Sequence, residues 1–160
     1  MRRPNLVVLL VALSACGGSQ TLSATRDSDV RSLTEVRALQ VIREAAADSS
    51  VRVGAGFAAE LTEGELDVDY RIEGGSFGVE WVSAQDRVST PSLPEPPPAG
   101  QLRIVADQSG AQILILDAAS YRYDPRRDRV QAGASGAADV EARLRRDMRD
   151  FLVYAGLTEG

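Results

Sequence analysis

The chain contains no histidine and no lysine; all 18 of its basic residues are arginine. Without imidazole there is no Ser-His-Asp or Cys-His catalytic group and no histidine ligand for a metal. Without lysine there is no Schiff base and no P-loop phosphate hook. Arginine keeps its charge and is a poor general base, so acid–base chemistry would rest on carboxylates, hydroxyls and tyrosine alone. Cys16 is the only cysteine, which rules out an internal disulfide. Aromatic residues are scarce, with one Trp, four Tyr and three Phe, so a large aromatic pocket is not expected. These absences point away from an enzyme and from a resident cofactor or metal. The net charge of −5 repels phosphate backbones, and nucleic acid is not an expected partner.

What is present begins at the amino end. Arg2 and Arg3 form a short basic start, Leu6 to Leu13 is an uninterrupted apolar run, and Leu13-Ser14-Ala15 places small residues directly before Cys16. The order basic, apolar, small is that of a secretory leader. Its apolar run is far shorter than the roughly 20 residues that span a bilayer. With a cysteine at the cleavage point, the segment resembles a bacterial lipoprotein precursor, Leu13-Ser14-Ala15-Cys16 matching the lipobox. The resemblance covers only the start of the chain. It implies cleavage between Ala15 and Cys16, diacylation of the Cys16 thiol, and usually a third acyl chain on the new amine. Acyl chains of this kind anchor at about 0.8 kcal/mol per buried methylene. Gly17 after the cysteine favours the periplasmic face of the outer membrane in a host with two membranes. Losing Arg2 and Arg3 with the leader takes the net charge from −5 to −7. The expected organisation is a leader over 1–15, a lipidated Cys16 with a flexible tether over 16–30, and one domain over 31–157.

Within that domain, Ser32-Leu33-Thr34-Glu35 has capping-box spacing, and Leu33, Val36, Leu39, Ile42 and Ala46 repeat at helical intervals. Val51 to Ala59 alternates as a strand that its glycines either bend or let pack closely. The stretch LDVDYRIEGGSFGVEW, Leu66 to Trp81, alternates apolar with charged residues on either side of Gly74-Gly75. A two-residue turn there sets Ile72 opposite Phe77, Tyr70 opposite Val79 and Val68 opposite Trp81. Val68, Tyr70, Phe77, Val79 and Trp81 then form an apolar face, destined for a core or for the wall of an apolar-ligand pocket. Asp67, Asp69, Arg71 and Glu80 form a second face expected to be solvated, with Asp69 facing Glu80 and Arg71 relieving the repulsion.

Ser89 to Gly100 holds five prolines and reads as an extended loop over 89–100 inside one domain. Leu102 to Ala106 alternates again, Gln108-Ser109-Gly110 marks a turn, and Ile113 to Leu116 is apolar throughout, as a central strand buried on both faces should be. Tyr121 to Tyr123 and Arg129 to Gln131 suggest further short strands around a Pro125 turn, with Asp117, Asp124 and Asp128 near one end as turn formers. A final helix carries Val140, Leu144, Met148, Phe151, Leu152 and Ala155 on one side and ends at Gly156, with Ser135 or Asp139 as its cap. Its polar side offers Glu141–Arg145, Arg143–Asp147 and Arg146–Asp150 as pairs four apart.

The sequence therefore predicts an α+β domain: a mainly antiparallel sheet of about six or seven short strands, with an N-terminal and a C-terminal helix packed on it. Its expected role is that of a lipid-anchored, non-catalytic accessory or interaction domain with a protein partner. The alternative is a small carrier of a lipid or other apolar ligand. A hydrolase using only carboxylates, with Asp69 and Glu80 as the pair, trails both.

Overall fold

The computed structural model describes residues 30–62, 64–125 and 136–159. The leader, Cys16, the tether up to residue 29, Asp128, the strand expected at 129–131 and the helix cap Ser135 lie outside them. The elements are β1 (Arg31–Ser32), α1 (Glu35–Asp48), β2 (Val53–Leu61), β3 (Gly64–Ile72), β4 (Phe77–Val82), α2 (Ala84–Ser89), β5 (Arg103–Ala106), β6 (Gln112–Asp117), a single 3-10 turn (Ala118–Ser120), β7 (Arg122–Tyr123) and α3 (Gly136–Tyr154). The class is α+β, as the patterning predicts. Among the described residues seven strands divide between a five-stranded sheet of order β2-β3-β4-β6-β5 and a two-stranded ribbon of β1 with β7. All pairings are antiparallel except that of β4 with β6.

The two long helices lie together on one face of the sheet. The helix α1 starts at the Thr34 cap, whose hydroxyl accepts from the Arg37 N–H, two residues later than the Ser32 box suggests. It buries Ala38, Val41, Ile42, Ala45 and Ala46, while Val36 stays 80% exposed. The small alanines let α1 approach its neighbours closely, so the buried stripe is not the one drawn through the larger Val36. The helix α3 buries the predicted Val140, Leu144, Met148, Phe151 and Leu152. It ends where Gly156 turns to positive φ and the Leu157 N–H reaches back to the Leu152 carbonyl, the bond that closes a Schellman motif.

Its charged side chains do not pair along the helix as expected. Glu141 takes a two-pronged bond from Arg37 of α1 at 2.7 and 2.5 Å, and Arg145 pairs with Glu44 and Asp48 of α1. Two packed helices offer partners across the seam, and at this exposure solvent screens each pair strongly.

Both faces of the central strands are covered. Ile72, Val79, Trp81, Leu114 and Leu116 meet the helices in the larger core, and Ile113, Ile115 and Val82 belong to a smaller core on the opposite face. Every residue from Ile113 to Asp117 is buried, as the apolar run predicts. Each large side chain removed from water contributes about 1.5–3 kcal/mol.

The smaller core exists because the β2–β3 ribbon turns over. Between Ala55 opposite Tyr70 and Phe57 opposite Val68, the pair Gly56 and Asp69 drops out of the ladder. Before this point Val53 and Ile72 face the helices; after it Ala59, Leu66 and Val68 line the opposite core with Phe57 beside them. A Cβ on Gly56 would stand 2.0 Å from the Val68 carbonyl oxygen, so only glycine permits the approach. Gly78 of β4 clears room in the same way for Phe57 and Val68, which would lie 3.0 and 2.9 Å from its Cβ. The far end of β2 then meets the β5–β6 turn: Gln108 donates its backbone N–H to the Glu60 carbonyl at 2.8 Å and its side-chain amide to the Leu61 carbonyl at 3.2 Å. The end of β2 and the turn beside the other edge strand, β5, are thus joined at this one point.

Candidate functional site

The apolar ribbon of the hairpin is formed in the predicted register, Ile72 with Phe77 and Tyr70 with Val79. Val79 and Trp81 are buried, Trp81 with only 2% of its surface exposed, in the same cluster as Leu144, Met148, Phe151 and Leu152. Phe77 sits edge-on to Phe151 at 6.0 Å, and Trp81 lies 5.4 Å from the ring of Tyr121. Tyr70 lies at the margin, its hydroxyl accepting from Arg43 at 2.7 Å. Val68 is buried too, but beyond the turnover, in the smaller core. Four of the five predicted side chains therefore share one face, and that face is filled by the helices.

The acidic face departs from expectation. Glu80 is 4% exposed, not solvated, because the folded-over half of β2–β3 covers its side of β4. Beyond Tyr70 and Val79 the β3–β4 ladder stops, and carboxylates take over. Asp69 accepts the Trp81 N–H at 2.8 Å, and Glu80 accepts the Asp69 N–H at 3.0 Å. The two acids staple the strands where main-chain pairing opens. Burial, and next the neighbouring Asp69 charge, push Glu80 up to about 9; burial likewise raises Asp69. Glu80 is then a neutral acid at pH 7 that can share its proton with Asp69. Arg71 does not serve as the expected bridge; its guanidinium lies 4.2 Å over the ring of Phe57. A hydrolase needs two carboxyl groups flanking a cleft with about 5–9.5 Å between them, whereas Glu80 is tied to the backbone of Asp69 and Asp69 to that of Trp81.

A second constellation surrounds the end of β6. Asp117, 4% exposed, accepts from Arg87 Nε at 2.6 Å and from the Ala119 N–H at 2.7 Å, so it forms the turn after β6. Arg87 lies on α2, a helix set by a capping box between Ser83 and Asp86. The same guanidinium donates to the carbonyls of Leu93 and Pro94, and this clamp seats Leu93 in the smaller core. Alongside, a hollow of about 130 Å³ lies between the proline-rich segment, the start of β5 and α3, with Arg103, Asp117, Tyr121, Arg143 and Asp147 in its wall. Tyr121 donates its hydroxyl to Asp147 at 2.8 Å, and burial, reinforced by the Asp147 charge, raises the pKa of that phenol. Arg143 lies over the Tyr121 ring and donates to the Ser120 carbonyl.

No family model, curated protein or solved structure matches the chain.

Among the described residues no group of three or more His, Cys, Asp or Glu side chains is placed to hold a metal ion. The sequence pairs Asp69 with Glu80 but gives no sign of the burial of Glu80, of the Arg87 clamp or of the hollow. The Ser83-to-Asp86 spacing was the available signal for α2, and with it for Arg87. Nothing local in the sequence marks Arg103.

Proposed function

We propose that the chain is a lipid-anchored envelope protein whose folded part is a non-catalytic accessory or interaction domain. The observation that carries this reading is the Leu13-Ser14-Ala15-Cys16 tetrad behind an eight-residue apolar run and two arginines. Acylated Cys16 holds the domain at a membrane, the periplasmic face of the outer membrane where the host has two, and leaves it to meet a protein partner. No helix among the described residues is long and apolar enough to cross a bilayer. Support for the non-catalytic half comes from the missing histidine and lysine and from the staple role of Asp69 and Glu80. An apolar-ligand carrier has no observation in its favour, because the apolar face of the hairpin is occupied by α3.

The test is Cys16→Ser with metabolic labelling by a tagged fatty acid. Loss of the label and retention of the uncleaved leader are expected. A variant that is still cleaved and still firmly membrane-bound would overturn the anchor.

A further inference from the structure

Resting on the reading of the folded part as an interaction domain, we propose that the outer edge of β2 takes up an extended, basic segment of a partner protein as an added strand. β2 and β5 are the two edges of the five-stranded sheet, and only one of them is guarded. β5 has four residues and is bordered by the proline-rich segment: Ser92 and Pro94 share a hollow with Val105 and Ala106, and Pro97 and Pro98 share another with Leu102 and Arg103. β2 has nine residues, contains no proline and carries no charge before Glu60. Sheet edges are ordinarily shortened, charged or covered, because their free N–H and C=O groups invite another strand.

The ladder shows which groups of β2 are free. Glu73 donates its N–H to the Arg52 carbonyl at 3.0 Å, so these two form a hydrogen-bonded pair, and alternation turns the N–H and C=O of Val53 and Ala55 away from β3. The turnover at Gly56 resets the alternation: the Glu60 carbonyl faces outward to Gln108, and Ala58 faces outward with it. Among the described residues, the two bonds that Gln108 gives to Glu60 and Leu61 are the only ones reaching β2 from outside its ladder. Val53, Ala55 and Ala58 keep their outward groups unpaired. Ala55, Gly56 and Ala58 are exposed, and none has a side chain larger than a methyl group to shield the main chain.

Shape and charge select the occupant. Because β2 turns over at Gly56, a stiff strand held in a second folded copy meets only half of it, whereas a flexible segment follows the twist. From Arg52 to Glu73 the ribbon carries six acidic and two basic side chains. Arg52 is paired with Glu73, and Arg71 lies over Phe57. Glu60, Glu65 and Asp67 stand exposed in the far half without an ion pair among the described residues, and they attract lysine or arginine on an added strand. At the near end a hollow of about 390 Å³, lined by Arg43 and Ala47 of α1 and by Val51 and Val53, is open to an apolar side chain. In strand addition the main-chain bonds supply affinity and such side-chain sites supply preference. The added strand is therefore basic at one end and apolar at the other.

The test uses the isotope-labelled full chain, held in nonionic detergent, and a blocked peptide of about seven residues, the free length of β2 from Val53 to Ala59. The peptide is built of valine and threonine with lysines at one end, and amide shifts and hydrogen exchange are followed by NMR. Saturable shifts with slowed exchange are expected at Val53, Ala55, Ala58 and Glu60, half complete at about 0.1 mM in low salt. A peptide with glutamate for lysine should bind about tenfold or more weakly, and one methylated at its central backbone nitrogens should give no saturable shift. Ala58→Pro removes an outward donor where an edge strand tolerates proline and should weaken binding by about tenfold; the peptides decide alone should that variant not fold. Equal binding of the methylated peptide overturns strand addition, and equal binding of the glutamate peptide overturns the basic partner. Concentration-dependent shifts of the same amides without peptide overturn it in favour of a second copy. Saturable shifts confined to another surface overturn the edge and leave the interaction domain standing. No saturable shift anywhere overturns the edge as well, and the anchor is judged separately by Cys16→Ser.

Discussion

Glu80→Gln is predicted to stabilise the protein at neutral pH and to leave it almost unchanged in mild acid. Glu80 is buried between β4 and the folded-over hairpin, and its pKa rises from the ordinary 4.5 to about 9, through burial first and the Asp69 charge second. An acid whose folded pKa is raised contributes fully below its unfolded value, near pH 4.5, and loses that contribution as pH climbs toward about 9. The slope is about 1.4 kcal/mol per pH unit. Between pH 4.5 and 7 the wild type therefore gives up about 3 kcal/mol at this one position. Glutamine keeps the shape, still accepts the Asp69 N–H through its carbonyl, offers its amide to the Asp69 carboxylate, and does not titrate. Urea unfolding followed by Trp81 fluorescence, run on both proteins from pH 4.5 to 10, isolates the effect as a difference in which all groups cancel except Asp69, whose titration is coupled to that of Glu80. The difference should be near zero at pH 4.5, reach about 3 kcal/mol in favour of the variant at pH 7, and level off above pH 9. A difference that does not change with pH, or a variant weaker than wild type at pH 7, would refute the assignment of a neutral Glu80.

Gly56→Ala places a Cβ 2.0 Å from the Val68 carbonyl oxygen, an overlap no rotamer relieves; the urea midpoint should fall by the equivalent of about 3 kcal/mol or more, and an unchanged midpoint would mean the strands do not approach there. Arg87→Met removes the partner of the buried Asp117 and two bonds to the proline-rich segment. A loss of about 3 kcal/mol is expected, with faster protease cleavage between Thr90 and Gly100. Cleavage no faster than in the wild type would show that Leu93 holds the segment unaided.

The parts of this fold that are legible in the sequence are those fixed by local alternation. The Gly74-Gly75 turn and the run of apolar residues determine which side chains of β3 and β4 oppose each other, and a stretch with no polar residue, Ile113 to Leu116, has no place except between two covered faces. The turnover at Asp69 was not legible from β3, whose alternation continues unbroken through it. Its cause sits on the next strand, where Gly56 lets the chains close, so Val68 changes sides without any local sign. Glu80 is buried for the same non-local reason. The helix pairs fail likewise: Glu141 and Arg145 satisfy the four-apart rule, but α1 brings Arg37 and Glu44 closer, and spacing within one helix says nothing about its neighbour. The parallel pairing of β4 and β6 depends on a connection through α2 and β5 that no periodicity reveals.

The strand β1 has a mechanical consequence. Arg31 and Ser32 are joined to β7 by a two-residue ladder, and one further bond runs from the Leu33 N–H to the Tyr121 carbonyl at 3.3 Å. A pull applied at the amino end loads this short ribbon before it reaches α1, which is held by a whole face of packed side chains. The ribbon is the first structure such a pull meets, and freeing it also draws Leu33 out of the larger core. The amino end is thus held to the domain by a few hydrogen bonds and one buried leucine side chain, and a pull must break both before it reaches α1.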